Sequence, residues 1–206
     1  MKKRGILVVV SGFSGAGKGT LMKELLRRYD NYALSISATT RRPRDGEVDG
    51  KEYFFVSRER FEAMIRQDEL IEYADYVGNY YGTPKAYVAD QMEAGKDVVL
   101  EIEMQGALKV KAKFPETLLI FVTPPSAAIL HRRLKARGTE TEEVIAKRMS
   151  RAVEESQDMH RYDYLLINDD LDTCVREMHE LIQAQHSKMS NCLDIVGMMR
   201  EELKLL

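Results

Sequence analysis

The sequence predicts an α/β fold in which a mostly parallel sheet is flanked by helices. Three observations predict it. The apolar run Ile6–Val10 leads into the glycine-rich stretch Gly12–Thr20 (GFSGAGKGT), after which Leu21, Met22, Leu25, Leu26 and Tyr29 recur at helical spacing. Further apolar runs at Asp97–Ile102, Thr117–Val122 and Tyr164–Ile167 read as buried strands, with Ala33–Ile36 a weaker candidate. Segments of helical periodicity separate these runs, the alternation from which parallel sheets are built.

The first unit is the most informative. Strand, glycine-rich loop and helix, in that order, form the context of a phosphate-binding loop. Backbone N–H groups can wrap a phosphate only where side chains do not intrude, and the helix that follows adds the positive end of its dipole. Gly12, Ser14, Gly15, Ala16, Gly17, Lys18, Gly19 and Thr20 are therefore candidate nucleotide contacts, with Lys18 the charge for the β- and γ-phosphates. The usual loop places a Ser or Thr directly after the lysine, where its hydroxyl reaches Mg²⁺. Here that place is Gly19, and Thr20 follows one residue later.

The later elements follow in order. Thr83 and Pro84, then Val88, Met92 and Gly95, read as a helix with an N-cap, a proline in its first turn and a glycine at its end. Thr139–Glu142 (TETE) has capping-box spacing ahead of Val144, Ile145, Met149 and Val153. Leu171, Val175, Met178, Leu181 and Ile182 mark a last long helix. Two segments break the alternation. One, over about residues 37–83, is rich in arginine, aromatic residues and glycine, with a short strand at Tyr53–Val56. The other, over about residues 131–151, carries Arg132, Arg133, Lys135, Arg137, Lys147, Arg148 and Arg151. Insertions of this kind commonly become flaps over a site.

Composition narrows the function. A chain of 206 residues with net charge −2 suits one domain with appendages and lacks the basic excess of a protein that coats nucleic acid. Cys174 and Cys192 lie far apart with no Cys-x-x-Cys spacing, so neither a disulfide framework nor a zinc site is expected. The apolar run after Met1–Arg4 is too short for a signal core or a membrane span, and the expected compartment is the cytoplasm.

The first irregular segment holds a compact cationic turn: Arg41, Arg42 and Arg44 around Pro43, with Glu47, Gly50 and Tyr53 following. Arginine forks match phosphate oxygens bidentately and a phenol adds a donor. A solvated charged turn explains these residues equally well taken alone. A second phosphate-affine cluster beside a phosphate-binding loop instead suggests two phosphorylated substrates.

These residues resemble the pattern of guanylate kinases. Thr39–Arg41, Arg44, Glu47, Gly50 and Tyr53–Val56 fit it position by position. So do Gly78–Thr83 (GNYYGT), Glu101–Gly106 (EIEMQG), Arg137–Glu142 (RGTETE), Tyr162–Tyr164 and Asn168–Asp170. The likeness spans Gly12 to Asp170, with Phe13 where proline is common and Glu101 and Glu103 where aspartates are common.

The resemblance implies one domain over residues 1–206. Its P-loop NTPase-type core would comprise residues 1–36, 84–130 and 152–206, with a GMP-binding insertion at about 37–83 and a lid at about 131–151. It implies Mg²⁺-dependent transfer of a phosphoryl group from ATP to GMP. Ser37, Arg41, Arg44, Tyr53 and Tyr81 would hold the GMP phosphate, Glu72 and Thr83 would read guanine, and Glu103 would face GMP or its arginines. Lys18, Arg137 and Arg148 would act on the transferring group, Asn168 on adenine, and Glu101 on the metal through water, with Thr20 a second metal contact. For Glu72 the chemistry agrees independently, since an ionised carboxylate accepts both N–H donors of guanine's Watson–Crick edge.

The expected partners are ATP and GMP, without nucleic acid or membrane, and the oligomeric state is open. A kinase for another nucleoside monophosphate would keep the loop and lid without the Arg41, Arg44, Tyr53 and Glu72 combination. A non-catalytic interaction module of the same family is the rival from another class, and it tends to have a damaged loop, whereas Lys18 is intact. A GTP-hydrolysing switch would need an Asn-Lys-x-Asp motif, which is absent from the sequence.

Overall fold

The structure is a computed structural model that describes residues 4–76, 78–136 and 141–206. Its centre is a five-stranded parallel sheet in the order β2-β7-β1-β8-β9. The strands are β1 (Leu7–Gly12), β2 (Tyr32–Leu34), β7 (Asp97–Glu101), β8 (Leu118–Thr123) and β9 (Tyr164–Ile167). Alternation along each strand divides its side chains between two layers. Val8, Val10, Val99, Ile120 and Val122 face one core, while Leu7, Val9, Val98, Leu100 and Leu119 face the other. α1 (Lys18–Arg28) and α7 (Leu171–Gln185) close the first core, through Leu21, Met22 and Leu25 and through Cys174, Val175, Met178 and Ile182. α3 (Lys85–Glu93) and α4 (Met104–Lys113) close the second, through Val88, Ala107 and Val110. Strands apolar on both faces are thus accounted for by helices on both faces.

The run at Tyr164–Ile167 is expected to be buried, yet only Leu166 is. β9 is the sheet's edge, so Leu165 and Ile167, on the opposite face from Leu166, stay 54% and 50% exposed.

Residues 38–84 build a second sheet in the order β4-β3-β6-β5, from β3 (Ala38–Thr39), β4 (Phe54–Phe55), β5 (Leu70–Tyr76) and β6 (Asn79–Pro84). Its own small core joins Ala38 and Leu70 to Phe61 and Met64 of α2 (Arg58–Arg66). β5 and β6 are antiparallel with an irregularity between Leu70 and Tyr73, and α4 packs against β5. That contact sets the second sheet beside the C-terminal end of β7.

α5 (Ala127–Ala136) and α6 (Glu142–Ser156) follow β8. The capping box expected from Thr139 does not begin α6. The cap is Thr141, whose hydroxyl accepts the Val144 N–H at 3.4 Å, and an apolar residue occupies the place where the box needs an acid. Thr139, Glu140 and Arg137 lie outside the described residues. Thr83 likewise does not cap α3, because β6 continues through Pro84 and the Thr83 hydroxyl is used elsewhere. α7 is not the last helix: α8 (Leu193–Leu203) follows, with Met198, Met199 and Leu203 exposed rather than packed on the core. Among the described residues no helix is long and apolar enough to cross a membrane.

Candidate active site

The loop between β1 and α1 is shaped by backbone demands. Gly12 closes β1 at φ 154°, where an added Cβ would lie 2.1 Å from the Val122 carbonyl oxygen. Gly17, the N-cap of α1, is left-handed at φ 89°, and a Cβ there would meet Asn168 Nδ2 at 2.6 Å. Both positions need glycine because a neighbour occupies the space a side chain would take. Lys18 opens α1 and folds back, its Nζ donating to the carbonyls of Gly12 at 2.7 Å and Phe13 at 3.3 Å.

Asn168 lies behind the loop. It is 6% exposed and its amide donates to the Ala16 carbonyl at 2.8 Å. Arg133 on α5 grips the same place, donating to the carbonyls of Asn168 at 2.9 Å and Ala16 at 3.5 Å. These contacts make Asn168 a buttress of the loop. The charged face of α5 concealed Arg133 in the sequence, and its only signal was its place beside Arg132 in a basic run.

A cavity of about 770 Å³ opens in front of the loop. Gly12, Ser14, Lys18 and Glu101 line one end of it; Ser37, Tyr53, Tyr81 and Glu72 line the other; Glu103, Gly106, Arg148 and Arg151 complete the wall. Three stretches far apart in sequence therefore meet: the loop, the second sheet and α6. Arg148 comes from α6, anchored by buried Ile145 and Ala152, and donates to the Ser14 hydroxyl.

In the second sheet, pairing fixes each polar group. Glu72 on β5 accepts from the Thr83 hydroxyl on β6 at 2.8 Å, and Thr83 is fully buried. Burial raises the Glu72 carboxyl, with Thr83 and the Lys109 charge opposing that rise. Gly106 on α4 lies beside this carboxylate, and a methyl there would stand 3.7 Å from Glu72 Oε2, an ordinary van der Waals contact. Thr39 and Thr40 use their hydroxyls on Tyr80 of β6, donating to its carbonyl at 2.9 Å and accepting its N–H at 2.9 Å. The arginine turn is thereby tied to the sheet. Arg41 gives Nη2 to both Glu47 oxygens at 2.8 and 2.9 Å and lies 5.4 Å from the centre of the Tyr53 ring. The same carboxylate accepts the Arg44 N–H at 2.7 Å, while Arg44 itself is exposed. Tyr53 and Tyr81 meet edge to face at 6.0 Å.

At the end of β7, partial desolvation by the cavity walls raises the Glu101 carboxyl, against the pull of Lys18. Glu103, the N-cap of α4, is bound by Arg151 at 2.6 Å. Thr20 is exposed on the first turn of α1.

Residues 4–185 match the guanylate kinase family. The chain belongs to that family. It is 52% identical over 193 residues to the guanylate kinase of Halalkalibacterium halodurans, covering 94% of this chain and 95% of the relative. It is 51% identical to that of Caldanaerobacter subterraneus subsp. tengcongensis, covering 98% of both. Among solved structures, the guanylate kinase of Anaplasma phagocytophilum superposes with a TM-score of 0.69 at 32% identity, covering 91% of this chain and 89% of that one. Membership of the guanylate kinase family agrees with the resemblance drawn from the sequence and with the parallel sheet around a phosphate-binding loop.

Proposed function

We infer that this guanylate kinase family member is an ATP:GMP phosphotransferase, an enzyme that passes the γ-phosphoryl group of ATP to GMP and releases ADP and GDP. One observation carries the reading: Lys18 of the phosphate-binding loop and the half-buried Glu72 carboxylate face a single cavity. The loop amides and Lys18 hold the ATP phosphates, and Asn168 and Arg133 keep the loop in shape. Ser37, Arg41, Arg44, Tyr53 and Tyr81 take the acceptor phosphate. Glu72 accepts guanine N1–H and N2–H, whereas adenine would turn an acceptor toward it. Thr83 holds the carboxylate in place.

The acceptor oxygen is already ionised near neutral pH, so the transfer needs no general base. That oxygen attacks the γ-phosphorus in line while the bridge to the β-phosphate breaks and its electrons leave with ADP. Catalysis is then alignment and charge neutralisation by Lys18 and Arg148, with Arg137 assigned to the same task from the family pattern. Residues 131–151 act as the cover that excludes water as a competing acceptor.

The donor set fits a Mg²⁺ ion. Among the described residues no group of three or more His, Cys, Asp or Glu is arranged to hold a metal. Mg²⁺ bound to nucleotide phosphates keeps several waters and needs only one or two carboxylates. Glu101 would hold it through water. A helix turns about 100° per residue, so the Thr20 hydroxyl points away from where one at position 19 would. When bound, the ion neutralises charge across the β- and γ-phosphates. The cytoplasm, with its ATP and GMP, is the compartment we assign.

A coupled ADP-release assay tests the reading with ATP and each of GMP, AMP, CMP and UMP. GMP should exceed the others by about 10⁴-fold in kcat/KM, as expected of a site built to meet donors on the base. Equal turnover of AMP would overturn it.

A further inference from the structure

We propose that Arg151 is a further catalytic residue of the transfer site, which rests on Glu103 in the nucleotide-free protein and exchanges that carboxylate for an acceptor phosphate oxygen. The proposal builds on the ATP:GMP reading above. Arg148 and Arg151 stand one turn apart on α6, about 4.5 Å along the axis, and both line the cavity. Arg148 points to the loop through Ser14. Arg151 reaches past it to Glu103, whose wall continues through Gly106 to Glu72. One helix thus presents a cation at the donor end and another toward the acceptor end. The spacing suits two phosphates whose reacting atoms must come within about 3–3.5 Å.

The Arg151–Glu103 pair is built to exchange. Its side chains are 53% and 68% exposed, and ion pairs so hydrated contribute little to stability. A phosphate dianion offers the guanidinium fork more charge and more oxygens than a carboxylate does. The other face of Arg151 is fixed from its own helix, Nε donating to Glu155 Oε1 at 3.1 Å, and Glu155 is only 19% exposed. Release of Glu103 therefore leaves the side chain aimed into the cavity.

The test compares Arg151→Met, Arg151→Lys, Glu103→Gln and the double variant Arg151→Met with Glu103→Gln, beside the unaltered protein. Steady-state kinetics are measured with ATP and GMP, and folding is checked by thermal melts. Arg151→Met should lower kcat at least about 10-fold, with KM for ATP within about 3-fold, and Arg151→Lys should recover part of the loss. The loss from Arg151→Met should persist by the same factor in the Glu103→Gln background. A loss under about 3-fold in Arg151→Met would make it a surface cation and overturn the proposal. A loss that vanishes in the Glu103→Gln background would show that Arg151 acts only through Glu103, and would overturn it equally. No turnover of GMP by the unaltered protein would remove the parent reading along with this one. Turnover with an indifferent Arg151 would remove only this one.

Discussion

The two ends of the cavity hold their polar groups by different means. At the loop end the scaffold is backbone: Gly12 and Gly17 sit where a Cβ would collide, and Lys18 is folded onto carbonyls of its own loop. At the second-sheet end Glu72 and Arg41 are side chains steadied by other side chains, Glu72 by Thr83 and Arg41 by Glu47. A backbone cradle reads phosphate, which all nucleotides share. A carboxylate held by a neighbouring hydroxyl can read one base against another. Under the proposed function, the contrast separates what would give the reaction its rate from what would give it its acceptor.

The largest effect should come from the loop end. Lys18→Met removes the mobile charge while leaving the backbone cradle, and turnover should fall about 10²–10³-fold with the melting temperature little changed, since such a contact is worth roughly 3–4 kcal/mol. A folded variant that keeps a tenth of the turnover would end the division of labour, because the loop would then only bind.

Glu72→Gln probes the opposite end. It places an NH₂ group before a guanine donor, so kcat/KM for GMP should drop by about two orders of magnitude and the gap to AMP should narrow, with ATP affinity unchanged. The pH profile sharpens this test. Burial raises the Glu72 carboxyl, and only its ionised form accepts from guanine, so kcat/KM for GMP falls as pH drops through that raised value. The limb should therefore lie above the usual carboxylate range and vanish in Glu72→Gln. A limb from the acceptor phosphate, near about 6, should remain. Stability of the empty protein has the opposite sign. The contribution of protonated Glu72 is fully present below the carboxyl's unfolded value and is lost as pH rises through its folded one.

A smaller effect tests the support rather than the reader. Thr83→Val keeps the volume but withdraws the hydroxyl from Glu72. The GMP kcat/KM should fall about 10-fold, and its acid limb should move to higher pH because a group that lowers the carboxyl's pKa is gone. An unmoved limb would mean that Thr83 does not steady the carboxylate in solution.

What could be read from the sequence follows the same division. β1, β7 and β8 were legible because burial on both faces leaves uninterrupted apolar runs, and the loop was legible because its parts are contiguous. The sequence does not mark β5 and β6 as strands. They belong to a sheet whose Glu72 and Tyr73 stay partly open, so the alternation is blurred by residues kept for a site. Thr83 looked like a helix cap because the Thr-Pro pair imitates one; only the pairing of β6 with β5 shows its hydroxyl facing Glu72. Arg151 was visible as one basic residue among several on a helix. Helical spacing from Arg148 was available as a signal, but its partner Glu103 lies on a different element and had to be found in space.

The position of β1 carries a consequence for the order in which the molecule is made. β1 runs between β7 and β8, and Ser11 at its end bonds to a carbonyl 91 residues away. Chain synthesis releases the phosphate-binding motif well before either neighbouring strand, β7 or β8, has been made. Contacts of such long range must recover their loop-closure entropy before they stabilise anything. During that interval the glycines of the loop lack the strand pairing that shapes them. The stretch most easily recognised along the chain therefore acquires its shape only after β7 and β8 have been made.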